Sequence, residues 1–180
     1  LRFEKLSHHA ALAKLVEMMD YDALRAEQAA LRAKNIYRGI GIASFIEVTN
    51  PSAAFYGVGG AKISSQDGVA VRLDAQGSVI CQTSITEQGQ GSESLTAQIV
   101  GSVLGVSMDR VRVILGDTDN TPYGGGTWAS RGAGIGGEAA LQATKVLRRN
   151  ILDIAAAILQ STAGELDIAN NSVVNVADGA

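Results

Sequence analysis

Apolar residues recur at helical spacing along the first stretch of the chain: Leu12, Leu15, Val16 and Met19 follow Ser7, and Leu24, Ala29 and Leu31 continue the series. Steps of three and four place them on one stripe, so residues 7–34 are expected to be helical, with Ser7 as the N-cap and Asn35 closing in a left-handed cap. Met18 and Met19 are read as core packing, not as a cofactor stripe. The period then falls to two. "YRGIGIASFIEV" alternates around Ile40, Ile42 and Phe45 and predicts a strand. "NPSAAFYGVGG" (50–60) carries Asn-Pro and Gly-Gly turn signals and reads as a loop. "GVAVRLDAQGSVICQTSI" reads as a hairpin, with Val69, Val71 and Leu73 on one arm, Val79 and Cys81 on the other, and "DAQGS" as the turn.

From Ser92 to Leu104 the chain returns to helical spacing, with Leu95, Ile99, Val103 and Val106 as the apolar stripe. "DRVRVILGD" alternates through Val111, Val113 and Leu115 and predicts another strand. The long connection "TDNTPYGGGTWASRGAGIGG" has no periodicity of its own, and loops of this length are usually functional. A long helix is expected from about Gly137 to Gln160, with Ala140, Ala143, Leu147, Ile151, Ile154 and Ile158 on its apolar face. "ELDIANNSVVNVADG" predicts two short strands joined near Asn170 and Asn171. The mixture is α+β: a mixed sheet with packed helices over 37–180, preceded by a helical N-terminal segment over 1–36.

Composition narrows the chemistry. Hydrophobic residues make up 46% of the 180 and charged residues 18%, the balance of a folded chain with a real core. Aromatics are scarce at 4% while glycines number 21, so the core must be aliphatic and closely packed. A formal net charge of −3 carries no nucleic-acid footprint. Arg148 and Arg149, the densest basic spot, read as the solvated face of a helix. The single cysteine, Cys81, excludes an internal disulfide and reads as a buried, inert thiol. His8 and His9 are adjacent and would point about 100° apart on a helix, which disfavours a shared metal. "GDTDN" (116–120) lacks the glycine and the later glutamate of a calcium loop and reads as a turn. No apolar run approaches a membrane span and no leader pattern opens the chain. It begins at Leu1 and has the look of a piece of something longer.

The candidate chemistry sits at two glycine-rich helix entrances, "TEQGQGS" (86–92) and "GGGTWASRGAGIGG" (124–137). A helix start exposes unpaired N–H groups at the positive end of its dipole, and glycines let a ligand come close to them. Gln88 and Gln90 add amides that both donate and accept, and Ser92 is the expected N-cap. Thr127, Ser130 and Arg131 add two hydroxyls and a guanidinium that can hold a phosphate bidentately or pair with an acid such as Asp117 or Asp119. Trp128 reads as a loop anchor. Gly132–Gly137 matches G-x-G-x-x-G, but that pattern marks a dinucleotide site only directly after a strand, and none is expected here. No Ser-His-Asp set, metal-ligand cluster or general base is evident.

"EQGQGSESLTAQIVGSVLGV" followed by "VRVILGDTDNTPYGGGTWASRGAGIGGEAALQA" resembles the molybdenum-binding large subunit of the xanthine dehydrogenase / aldehyde oxidase / carbon monoxide dehydrogenase family, in motif order and separation. The resemblance covers essentially the whole chain and is loose over 1–35. It implies a molybdenum hydroxylase that oxidises a heterocycle or aldehyde with oxygen from water, with iron–sulfur clusters and FAD on other domains or subunits. The metal would be held by molybdopterin, in the cytosine dinucleotide form usual in bacteria, and by no protein ligand. Gly89, Gln90 and Gly91 match one pterin-wrapping motif; Ala129, Ser130, Arg131, Gly132 and Ala133 match the second. The family's catalytic glutamate lies C-terminal to this stretch, and neither Glu47 nor Glu87 matches it.

The resemblance also implies partners: other domains of the same large subunit, iron–sulfur and FAD subunits, and a small-molecule substrate, in a cytoplasmic enzyme. The chain by itself is then expected to be inactive, with mobile loops at Gln88–Ser92 and Tyr123–Gly134 and an exposed apolar patch that favours self-association. Two other readings stand beside it. One is a non-enzymatic α+β ligand- or partner-binding domain whose glycine loops sit apart with internally paired amides. The other is a nucleotide-binding enzyme in which a strand runs directly into Gly132. In the molybdenum reading both loops converge on one cleft.

Overall fold

The computed structural model describes residues 5–60 and 62–177. It falls into two compact units, one up to Ile46 and one from Glu47. The first four residues of the expected 1–36 segment lie outside the described residues.

The first unit contains two helices, α1 (His8–Met18) and α2 (Tyr21–Arg32), where the apolar spacing suggested one run over 7–34. The break is local. Asp20 adopts a left-handed backbone (φ 47°) and its carboxylate accepts from Ala23 N–H at 3.4 Å, which caps α2. Ser7 holds the N-cap position of α1 but makes no side-chain capping bond. Asn35 is left-handed (φ 60°) as expected of a closing cap. Neither helix has a buried residue, and Met18 is 74% exposed, so the core role expected of it is corrected. Two short helices cannot enclose a core between them. The strand expected over 37–48 is likewise absent. Its residues have no regular structure and join no ladder among the described residues, and alternation without a neighbouring strand leaves backbone groups unpaired.

The second unit is built on a three-stranded sheet in the order β1-β2-β3: β1 (Val69–Leu73), β2 (Val79–Thr83) and β3 (Val111–Ile114). The pair β1–β2 is the expected antiparallel hairpin. Asp74 organises its turn by accepting from Gln76 and Ser78 N–H, and Gly77 takes φ 81°. β2 and β3 are parallel, joined through α3 (Ser92–Leu104), so the sheet is mixed. The register aligns Val71 with Cys81 and Cys81 with Val113 on one face. That face meets α3 and α4 (Gly137–Leu159) over a core of Val79, Cys81, Ala97, Val100, Leu104 and Val111. Each fully buried valine or leucine there contributes roughly 1.5–3 kcal/mol. Burial pushes the Cys81 thiol up to about 11, as befits an inert core residue.

The buried face of α3 is Thr96, Ala97, Val100, Gly101 and Leu104, one residue round from the expected stripe. Gly101 lets the connection that follows the helix pack close, at the Val106 carbonyl and Met108, while the flanking Ile99 turns toward Gly137 at the start of α4. In α4, Ala140, Thr144 and Ala156 are buried, whereas Ile154 and Ile158 are 62% and 75% exposed. α4 lies near β4, where Arg148 reaches Asp167, and Ile154 and Ile158 stay outside. That sheet is the expected hairpin, β4 (Leu166–Ala169) and β5 (Ser172–Asn175), turning through left-handed Asn170 and Asn171. Arg148 pairs with Asp167 of β4, so only Arg149 keeps the expected role as solvated basic face. "GDTDN" is a turn, in which Asp117 accepts from Asp119 N–H and the Asn120 amide.

The two sheets are joined at the C-terminus of α3. Gly105 closes that helix with φ 69°, and its carbonyl accepts from Asn171 N–H at 3.1 Å. A Cβ on Gly105 would come within 2.0 Å of the Ile168 carbonyl oxygen. Gly105→Ala is therefore expected to destabilise the second unit by about 2–3 kcal/mol, from the strained backbone and the displaced hairpin together. Chemical denaturation of the variant checks this, and an unchanged midpoint contradicts it.

Candidate functional site

Both glycine-rich loops leave the same end of the main sheet. The first follows β2 and enters α3; the second enters α4. A single hydroxyl joins them. Thr127 Oγ1 accepts from Thr86 N–H at 2.8 Å and donates to the Thr86 carbonyl at 2.7 Å. The Gln88 amide also reaches the Thr127 carbonyl at 3.4 Å. A Cβ placed on Gly132 would find only Ser92 Oγ within 4 Å, at 3.9 Å. The two mouths thus meet at Thr86–Thr127, Gln88–Thr127 and Ser92–Gly132.

The first mouth differs from expectation in how its amides are used. They are not free: the Glu87 carboxylate accepts from Gly89 N–H (2.8 Å), Gly91 N–H (3.0 Å) and Glu93 N–H (3.2 Å), with Gln88 N–H also at 3.2 Å. These donors, those of Glu93 and Gly91 foremost, hold the Glu87 carboxyl below the ordinary glutamate range. Its oxygens stand where those of a ligand phosphate or carboxylate would stand, and show that the nest takes an anion. The N-cap of α3 is Gly91 (φ 79°), one residue before the expected Ser92. Ser92 is buried and accepts from the Gln90 amide at 2.8 Å, while that amide also donates to the Thr86 carbonyl. The loop expected to be loose is tied down at every turn.

The second mouth keeps its amides open. Gly132–Gly136 forms a π-helical turn that runs directly into α4, and the N–H groups of Gly132, Ala133 and Gly134 have no hydrogen-bond partner among the described residues. Ala129 (φ 46°) and Ser130 (φ 48°) are both left-handed, a costly backbone for residues with a Cβ and one that clusters at functional sites. Ser130 donates to Glu47 at 2.7 Å. What precedes Gly132 is the Trp128–Arg131 turn, and the last strand upstream, β3, ends at Ile114, so the dinucleotide reading of Gly132–Gly137 fails.

Arg131 is wholly buried. Its acid is Asp67, not Asp117 or Asp119: Nη2 lies 2.9 Å from Asp67 Oδ2, both side chains having no exposure. Nη1 donates to Asp67 Oδ1 at 3.3 Å and to the Gly126 carbonyl at 2.5 Å. The guanidinium lies 5.6 Å from the centroid of Trp128, whose ring also meets Phe55 at 5.7 Å, so the tryptophan is a loop anchor as read. Asp67, Ser84 and Glu87 escaped sequence reasoning. Their only signals were an acid just before a strand, a serine just after one, and an acid just before the glycines.

The donor set fits an elongated anionic group. Gly89 and Gly91 have left-handed backbones with nothing within 4 Å of a would-be Cβ, so a ligand can lie against them. In the other loop the N–H groups of Gly132, Ala133 and Gly134 have no partner among the described residues, and the Asn50 side chain lies against Gly134. Among the described residues no group of three or more His, Cys, Asp or Glu is placed to hold a metal. No helix among them is long and apolar enough to cross a membrane.

The chain as a whole is similar to known proteins. The chain is 34% identical to the carbon monoxide dehydrogenase large chain of Hydrogenophaga pseudoflava over 92% of its own length and 21% of that protein's. It is 30% identical to the nicotine 6-hydroxylase large subunit of Paenarthrobacter nicotinovorans over 98% of its length and 22% of that subunit's. The structure of quinoline 2-oxidoreductase from Pseudomonas putida 86 superposes with a TM-score of 0.63 at 34% identity, covering 94% of this chain and 21% of that one. The chain thus spans about a fifth of the length of the curated relatives it matches. Residues 14–180 match the molybdopterin cofactor-binding domain, and the chain belongs to that family.

Proposed function

We propose that this chain contributes two cofactor-gripping loops to the large subunit of a molybdenum-dependent hydroxylase. Gln88, Gly89, Gln90, Gly91 and Ser92 would line one side of the cofactor, and Thr127, Ala129, Ser130, Arg131, Gly132 and Ala133 the other, Arg131 through its backbone alone. When bound, the molybdenum–pterin group supplies two-electron oxidation of a heterocycle or aldehyde with oxygen from water. The chain's own residues do the rest: the Gly132–Gly134 amides receive negative charge, the glycines admit the ligand to the backbone, and Thr127 keeps both walls together. The cofactor is the cytosine dinucleotide form. Iron–sulfur and FAD groups sit on partner subunits of a cytoplasmic enzyme, and the catalytic carboxylate comes from outside this stretch. The exposed apolar side chains of both units, such as Phe45 (78%) and Ile158 (75%), are surfaces for other domains of the subunit.

The observation that carries this reading is the facing of two glycine-rich helix starts across one space, bridged by Thr127. One observation favours a packing role for the first loop instead, namely the Glu87 carboxylate seated on its amides. That seat is compatible with cofactor binding if the second loop takes the anionic tail while the first presents Gln88 and Gln90.

Purified whole subunit is expected to carry molybdenum, pterin and acid-releasable cytidine monophosphate in equimolar amounts. Gly132→Leu, which fills the space opposite Ser92, should lower all three by about tenfold with little change in melting temperature. Absence of pterin from folded wild-type subunit, or full loading of the variant, contradicts the proposal. The hold of Glu87 on its loop has a pH signature. Because the folded carboxyl titrates below the ordinary 4.5, the anchoring is fully present above that value and is lost as pH falls through the lowered one. The titration midpoint read from the amide NMR shifts of Gly89, Gly91 and Glu93 should lie below 4.5. A transition at or above 4.5 contradicts the anchoring.

A further inference from the structure

Asp67 belongs to neither glycine-rich loop, yet it is bonded toward both. It lies just before β1 with its carboxylate fully enclosed. Oδ1 accepts from Ser84 Oγ at 2.8 Å and from Arg131 Nη1 at 3.3 Å, and Oδ2 lies 2.9 Å from Arg131 Nη2. Ser84 sits between β2 and the first loop. Its hydroxyl also accepts from Gly68 N–H at 3.0 Å, and its own N–H donates to the Gly68 carbonyl at 3.0 Å. Arg131 sits in the second loop and clasps it again through the Gly126 carbonyl. Resting on the cofactor reading above, we propose that Asp67 is a positioning residue. Through Ser84 and Arg131 it fixes the separation of the two cofactor-holding loops, and the Arg131 guanidinium serves this hub in place of a ligand phosphate.

The surroundings are shaped to the pair. A Cβ on Gly124 would lie 2.0 Å from Ser84 Oγ and 2.8 Å from Asp67 Oδ1; one on Gly125 would lie 2.6 Å from Arg131 Nη1 and 2.0 Å from the Ser64 carbonyl oxygen. Two of the three consecutive glycines are therefore required by the hub and not by a ligand. The left-handed Ala129 and Ser130 are held between Thr127, clamped to the first loop, and Arg131, clamped to Asp67. Such a backbone persists only where its flanks over-determine it. Arg131 Nη2 and Asp67 Oδ2 have no hydrogen-bond partner among the described residues, so the ion pair at 2.9 Å is what holds these two enclosed groups, while Arg131 Nε and Trp128 Nε1 are enclosed without a partner. Asp67 is also a separate device from Glu87, which acts within the first loop only.

A pair that merely stabilises the fold can be replaced by two neutral groups together, with little loss. A positioning pair cannot. The test uses the whole subunit with Asp67→Asn/Arg131→Gln and, separately, Ser84→Ala, which removes one hydroxyl and keeps both charges. The double variant should fold with a near-native melting temperature yet retain about tenfold less pterin, as loss of a supporting contact behind a binding group does elsewhere. Ser84→Ala should show a several-fold loss of pterin and about tenfold faster tryptic cleavage after Arg131, which is enclosed in the parent. Full pterin in a folded double variant overturns the proposal. If the double variant does not fold, Ser84→Ala decides: unchanged pterin content and unchanged cleavage overturn it. Wild-type subunit without pterin defeats the cofactor reading instead, and the hub is then judged by the cleavage rates alone.

Discussion

A buried ion pair constrains more of this molecule than any other contact. Asp67 and Arg131 are both removed from water, at an effective desolvation penalty of several kcal/mol per ion that only close, well-oriented pairing offsets. The chain around them conforms to that requirement. Gly124 and Gly125 leave room for the head groups, Ser84 supplies a hydroxyl, Gly126 a carbonyl and Trp128 a ring face. Because Asp67 lies at the sheet and Arg131 in the second loop, satisfying the pair also fixes where that loop begins its π-helical turn into α4. The Thr86–Thr127 clamp then brings the first loop into register with it.

The two loops divide the work unequally. The first is satisfied from within, since Glu87 fills its amide nest and Gln90 is bonded to Thr86 and Ser92. The second leaves three helix-start amides without a partner among the described residues. A polar wall that is pre-shaped by its own carboxylate, opposite a wall that still seeks an anion, suits a long ligand with one charged end and one heteroaromatic end. Membership of the molybdopterin-binding family accords with that character.

Much of the second unit was legible in the sequence because its signals are local. The "DAQGS" turn, the Asn170–Asn171 turn, the start of α4 and the inert Cys81 depend on few residues and appear as read. Helix faces were less legible. Leu95 and Ile99 outrank Ala97 and Gly101 in hydrophobicity, yet the small residues are the buried ones, Gly101 because the chain after α3 packs directly against it. The expected strand over 37–48 failed because alternation records a disposition to pair and not the presence of a neighbour. In the site, the glycines, Thr127 and Gln90 were visible, whereas the roles of Asp67, Ser84 and Glu87 depend on contacts spanning from two to 64 residues. Arg131 was noticed for the right chemistry, a bidentate partner for an anion, and assigned the wrong anion, because a guanidinium in a glycine-rich loop reads the same whether its acid is a ligand or a distant aspartate.

The central claim is that both loops close on one ligand together. Hydrogen–deuterium exchange on the whole subunit, with and without its pterin cofactor, tests this most directly. Peptides covering 86–93 and 127–134 should gain protection jointly on loading, with the larger gain in the second because its amides start open. Protection of one loop alone, or of neither, would contradict the account.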